Sequence, residues 1–551
     1  MTKKQTLTTL AALIALPLSS FALERIDLIP SESPAYIRIS NIEEGVKMVE
    51  KTPFGKLWAD KQVQDFLGNP LQGKTWEELF AGKMYDDAEM AKAMQEEIEM
   101  NEGEFIVSFD AAMEDSYVIA AMSREDFFRS LELDQKLSEQ DPVITKKYTF
   151  QGEEVVQYIY EAGTEWEYSS WQAQLNDTLV LGPKKEWVER SIIELKKEKI
   201  EEPQGAPSVT ANFEIKKFIN QLLSESEGAD QAEIKSIISA LGLADIDKCT
   251  MNLSLKEDEV VLDGILYARR IDRGLFTLFD TRPANLPTAG FIPNDFSLLE
   301  VGRMDLPGFW KEVKRVVAEI SPELQTQIDS VMTMFSRETG VDFEMDLLAH
   351  MGTEYTYYSL SEGERVKDLV AFSLKNSDAI KRTIEAILRA PAVKPQAEMI
   401  IETVDFLDHT LYLTSDLVTE PEAQLAFSVI DGYLIIGNTE TVQQALRSVG
   451  KPSTLSQNPI IRNFRNMIPS TAFRFSLFDA KRYIKFLAEL MQTEEYIMML
   501  DDYLYMNDIP ISLPDLTKMP PAEHLASFFE TIYSYSEKTP EGIHIRAVIK
   551  N

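Results

Sequence analysis

Apolar and polar positions along this chain follow one succession of patterns, and they follow it twice. Each succession opens with Ile-Pro and a small polar or acidic pair, Ile29-Pro30-Ser31-Glu32 and Ile292-Pro293-Asn294-Asp295. A strand-like apolar run follows, Ala35 to Ile39 and Leu298 to Val301. An amphipathic helix comes next. In the second succession Phe309, Trp310, Val313, Val316, Val317 and Ile320 recur with a 3.6-residue period. Further on, Leu175-Asn176-Asp177-Thr178-Leu179-Val180-Leu181-Gly182 aligns without a gap on Ile430-Asp431-Gly432-Tyr433-Leu434-Ile435-Ile436-Gly437. Both read as hairpins, because Asn176-Asp177 and Asp431-Gly432 tolerate the positive φ of a tight turn. A helix follows each, with Val188, Ser191, Ile192, Leu195 in one and Val442, Ala445, Leu446, Val449 in the other. Both sets fall at i, i+3, i+4, i+7, so each helix buries one stripe.

Phe213-Glu214-Ile215-Lys216-Lys217-Phe218-Ile219 then aligns on Phe478-Asp479-Ala480-Lys481-Arg482-Tyr483-Ile484. Each succession ends in a predicted hairpin, Leu253 to Leu266 around Glu257-Asp258, and Ile532 to Ile549 around Pro540-Glu541-Gly542. The shared order and spacing indicate a tandem duplication of packing positions. Copy one is expected over 23–273 and copy two over 289–551, joined by a linker at 274–288 that holds Thr281-Arg282-Pro283-Ala284-Asn285-Leu286-Pro287. Hairpins alternating with helices predict an α+β fold: two tandem copies of a mainly antiparallel sheet with helices packed on one face.

The N-terminus reads as an address. Lys3 and Lys4 precede a short apolar run from Leu10 to Leu18, and Ser20-Phe21-Ala22 offers small residues to a signal peptidase. Residues 1–22 are therefore expected to be a cleaved signal peptide, since a retained span needs about 20 apolar residues. No later segment is long and apolar enough to cross a bilayer, and no cysteine lies near the cleavage point to anchor a lipid. The expected location is the periplasm or the exterior. Cys249 is the only cysteine, so each core must hold without a disulfide. The formal net charge is −35, a field that repels nucleic acid and anionic head groups and favours solubility.

Candidate chemistry is sparse. Gly68-Asn69-Pro70-Leu71-Gln72-Gly73-Lys74-Thr75 satisfies the Walker A spelling, with Phe105 to Asp110 in the place of a second strand. Val63, Phe66 and Leu67 before it have helical spacing, however, and Pro70 removes a phosphate-binding N–H. A helix end capped at Gly68 explains these residues more simply. His350, His409, His524 and His544 stand far apart with no paired spacing, and Ser448-Val449-Gly450-Lys451 matches Ser-x-x-Lys in spelling alone. Glu96, Glu97, Glu99, Glu102 and Glu104 read as a solvated helix face and lack an EF-hand glycine. Tyr496, Met499, Leu500 and Tyr503 fall on one helix face beside Met491, Met498 and Met506. They pack a core or offer an adaptable binding surface. The sequence names no catalytic residue, cofactor ligand or metal ligand.

The Ile29-Pro30 opening, the Asp431-to-Gly437 hairpin and the Ser456-Gln457-Asn458-Pro459 segment together resemble the bacterial domain of unknown function 3352 family. Gly340-Val341-Asp342-Phe343-Glu344-Met345-Asp346-Leu347-Leu348, leading to Gly352, fits the same pattern. The resemblance implies an exported or envelope-associated protein and brings no catalytic residue with it. The resulting expectation is an exported, non-catalytic binding or scaffolding protein whose partner is an envelope protein or an apolar ligand. A carboxylate-based hydrolase of glycan or peptide and a carrier of apolar ligands are the rival expectations.

Overall fold

The apolar runs and stripes become strands and helices where the patterning places them. The computed structural model describes residues 23–67, 103–110, 115–123, 125–126, 129, 144–164, 167–200, 207–225, 228–286, 290–363, 365–395, 400–414, 424–430, 432–506 and 515–550. The signal-like segment, the Walker-like loop and most of the acidic run lie outside these residues. The fold is α+β, and the strand ladders are antiparallel.

Strands β1 to β8 are Ala35–Ile39, Phe105–Phe109, Ser116–Ala121, Ile144–Phe150, Glu153–Tyr160, Tyr168–Leu175, Thr178–Gly182 and Val209–Phe213. Strands β9 to β14 are Ile246–Lys256, Glu259–Ala268, Leu298–Arg303, Met351–Glu362, Arg365–Leu374 and Ile401–Phe406. Strands β15 to β20 are His409–Thr414, Leu425–Ile430, Tyr433–Asn438, Ala472–Asp479, Thr531–Thr539 and Gly542–Lys550. The helices used below are α1 (Pro53–Ala59), α2 (Lys61–Phe66), α3 (Lys185–Lys197), α4 (Ser377–Arg389), α5 (Thr439–Leu446), α6 (Ala480–Met491), α7 (Glu494–Met506) and α8 (Ala522–Ala526).

The chain divides into two compact units, Met1–Met48 with Pro70–Phe218 and Val49–Asn69 with Ile219–Asn551. In the first, the ladder order is β8-β1-β2-β3-β7-β6-β5-β4. Ile106, Tyr117, Ile119 and Val180 are buried there against Val188, Ile192 and Leu195 of α3, the stripe that the helical period marks. Asn176 and Asp177 take φ of 51° and 55°, as a two-residue turn between β6 and β7 requires.

In the second unit, β18-β11-β12-β13-β17-β16-β15-β14 follows the same order position for position. The ladder continues from β18 through β19, β20 and β10 to β9. The hairpin β9–β10, which the sequence assigns to the end of copy one, is thus paired through β10 to the last strand of the chain. Val261 meets Val548 in that pairing.

The expectation of helices on one face needs correction. Leu369 and Ile435 face Val442, Ala445 and Leu446 of α5. Val429 and the partly buried Leu434 and Phe372 face Ile380 of α4 on the other side. Neighbouring residues of a strand point to opposite faces, so Leu434 and Ile435 need two separate covers. The signal was present in the sequence: Val429-Ile430 and Leu434-Ile435 are apolar at both parities, as in a strand buried on both sides.

Among the described residues no helix is long and apolar enough to cross a membrane.

Candidate functional site

The duplicated Phe478 motif builds a charged cleft in the second unit. Asp479 ends β18 and caps α6, accepting a hydrogen bond from the Arg482 backbone N–H at 3.0 Å. This cap is favourable because the first N–H groups of a helix lack internal partners. It fixes the first turns of α6, so Lys481, Arg482, Lys485 and Glu489 line one opening of about 470 Å³. Asp295, from the Ile-Pro opening, reaches Arg482 at 2.6 Å, and Asp479 lies 3.8 Å from the same guanidinium. Lys485 pairs with Glu523 and, at 3.9 Å, with Glu489. Ser361 at the end of β12 lines the floor with 5% exposure. Its N–H donates to Ser297 Oγ at 2.8 Å, while its own buried Oγ has no partner.

The electrostatics are those of held ions. Burial opposes the charge on Arg482, and the Asp295 carboxylate outweighs it, so the guanidinium is held still more firmly protonated. The hydrogen bond from Lys485 holds the Glu523 carboxyl below its usual range. Such groups recognise opposite charge but make poor proton donors. Among the described residues no cysteine or histidine lines the cleft. Among the described residues no group of three acidic, histidine or cysteine side chains is placed to hold a metal ion.

The apolar positions of the aligned motif carry no sign of this cluster. The signal was the polar half of the same motif, Glu214, Lys216 and Lys217 against Asp479, Lys481 and Arg482. In the first unit the opening acid does other work: Glu32 accepts from Trp187 Nε1 at 2.5 Å.

A second charged cluster is closed. Glu104, from the acidic run, is buried between Arg25 at 3.2 Å and Arg38 at 2.6 Å. Arg25 donates further to Thr178 Oγ1 at 3.1 Å and to the Asp177 carbonyl at 3.2 Å. The carboxylate therefore holds the turn Arg25–Leu28 to β1 and to the β6–β7 turn, and Glu104 is no part of a solvated face.

The Tyr496 helix forms as α7. Tyr496 and Leu500 are partly buried, whereas Met499 is 56% exposed and Met498 61%. Tyr503 lies in the helix, with its side chain outside the described residues. His350 ends a 3-10 turn just before β12 and His409 opens β15, while His524 meets Asp60 and His544 meets Asp263 and Glu537. Cys249 is partly buried on β9, and burial pushes its thiol pKa up.

No curated protein matches this sequence. Among solved structures, crystal form III of TP0453 matches at 8% identity over 48% of this chain and 90% of that one, with a TM-score of 0.25. Crystal form I of the same protein matches at 10% identity over 45% and 79%, with a TM-score of 0.23. Scores this low carry no argument about this chain. A family model does match, over residues 98–492, so the chain belongs to the family described as Protein of unknown function (DUF3352).

Proposed function

We propose that this protein is an exported, non-catalytic binding protein of the bacterial envelope, built from two copies of one α+β module. The recurrence of eight strands in one order in both units carries the reading of two copies. The binding role is supported by the cleft, whose bases are held by acids and which has no nucleophile–base pair. A glycan hydrolase needs two carboxyl groups about 5–10 Å apart, one of them kept protonated. Asp295, Asp479, Glu489 and Glu523 each lie within ion-pair reach of Arg482 or Lys485, and the hydrogen bond from Lys485 holds the Glu523 carboxyl below its usual range.

Three measurements test this reading. Protein purified from its own host should begin at Leu23, and a chain that still begins at Met1 in the envelope fraction removes the export claim. Native mass spectrometry of that material should show a retained ligand or partner. Turnover of an envelope glycan or peptide that Glu523→Gln abolishes would overturn the non-catalytic reading.

A further inference from the structure

The β9 end of the second unit's sheet is polar and apolar on unexpected sides. Alternate residues from Cys249 to Leu255, from Val260 to Leu266 and from Ile543 to Ile549 share one face of β9, β10 and β20. Apart from the Cys249 thiol, that face carries no hydrogen-bonding or charged side chain. An antiparallel sheet with one wet face turns its apolar set inward. Here Lys248, Thr250, Asn252 and Ser254 of β9 share the face of buried Val261, while Met251 and Ile545 on the apolar face stay 40% and 48% exposed.

Gly264 lies at the centre of this face, between Met251 and Ile545. A Cβ there would meet only ordinary contacts, the nearest being Ile545 O at 3.8 Å and Thr250 O at 3.9 Å. Gly437, in contrast, has the Asp368 carbonyl oxygen 2.1 Å from where its Cβ would be. Glycine weakens a strand interior and often marks the close approach of a ligand. Among the described residues no close contact requires it at 264, so it leaves a dent with Ala547 beside it, one strand over and displaced along the face. Lys538 of β19 stands directly opposite Ile543 and supplies a charge at one end of the face. It is exposed and has no ion-paired acid among the described residues.

We propose that this face is a trough for the hydrocarbon chain of an anionic, single-chain amphiphile whose head group pairs with Lys538. The proposal rests on the reading of this protein as a binding protein. The face is about 20 Å long and about 10 Å wide by strand rise and spacing, enough for one extended chain. A peptide lying across the face is a poor occupant, because the side chains of the face offer its polar groups no partner. Lys538 at the end selects a carboxylate or phosphate head.

The test titrates the full exported chain with monomeric palmitate and with hexadecanol. The unaltered protein should take up both saturably. Gly264→Leu fills the dent and should weaken palmitate binding at least about ten-fold while leaving the thermal midpoint unchanged or higher. Lys538→Gln should weaken palmitate and leave hexadecanol unchanged. Absence of saturable palmitate uptake, or uptake that Gly264→Leu does not alter, overturns the trough. So does flotation with anionic phospholipid vesicles without uptake of the monomer, which would make the face a membrane-docking surface. A polar ligand found on host-purified protein that takes up no palmitate sinks the trough and leaves the binding reading standing. Turnover abolished by one point variant sinks the binding reading, while palmitate uptake stands as measured.

Discussion

Glu104 illustrates how much a single side chain gains from tertiary surroundings. Its neighbours in sequence are acidic, and composition alone places it in solvent. In the fold it is the shared counter-ion of Arg25 and Arg38, which are drawn from the turn Arg25–Leu28 and from β1. Removing one member of a buried ion set leaves the others unpaired, at a cost of about 3–5 kcal/mol. Glu104→Ala should lower stability to urea by that amount, and a loss under about 1 kcal/mol would mean that water screens the cluster. His544 shows the same effect. Its Nε2 lies 2.7 Å from Asp263 and its Nδ1 3.2 Å from Glu537, whereas in sequence it is one of four scattered histidines. Gly264 is the opposite case. It is legible as a glycine within a strand pattern, but only the surroundings of its missing Cβ distinguish a needed glycine from an unneeded one.

Among elements, α1 and α2 are the ones whose placement patterning could not supply. They follow β1 closely in the chain, yet they pack in the second unit. Phe54 of α1 meets Phe529 edge to face at 5.2 Å. Asp60, the cap of α2, accepts hydrogen bonds from the Gln62 and Val63 N–H groups and lies 2.9 Å from His524 Nε2 in α8. Burial pushes the Asp60 carboxyl up, but the hydrogen bonds from His524 and from those backbone groups outweigh it, so the net shift is downward. A carboxyl depressed in the folded state contributes stability above its unfolded value near 3.9, and the contribution is lost as pH falls through the lower folded value. Asp60→Asn keeps a good cap and removes the charge. It should flatten the acid limb of the stability profile below about pH 4 and leave its slope at neutral pH unchanged. An unaltered acid limb in thermal melts would show that the α2–α8 contact does not contribute. The element pattern itself was largely legible, since hairpins, caps and stripes are set by neighbours within a few residues. The double cover of β16 and β17 was legible too, in their two-parity apolar runs, but which helix lies on which side was not.

At the scale of the whole chain, the β10–β20 ladder decides the architecture of the second unit. It runs from Glu259 opposite Lys550 to Tyr267 opposite Gly542, so the end of one expected copy is zipped to the end of the other. A fragment of residues 289–551, the expected second copy, lacks β10 and would expose β20 as an open edge. Such edges template pairing with other chains. The fragment should elute as a dimer or aggregate, and a soluble monomer would show that β20 does not need β10. The charged cleft follows the same logic on a smaller scale: Asp295, Ser361, Arg482 and Glu523 come from four stretches of sequence that only the sheet brings together. By itself, the sequence determined the α+β class, the hairpins, the buried stripes of α3 and α5 and the family pattern. These depend on period and turn chemistry, which act between residues close along the chain. Tertiary structure alone decided which strands pair across hundreds of residues, which acid meets which base and which apolar face stays partly exposed. Those outcomes depend on burial and on contacts between segments far apart in sequence, for which no local pattern codes.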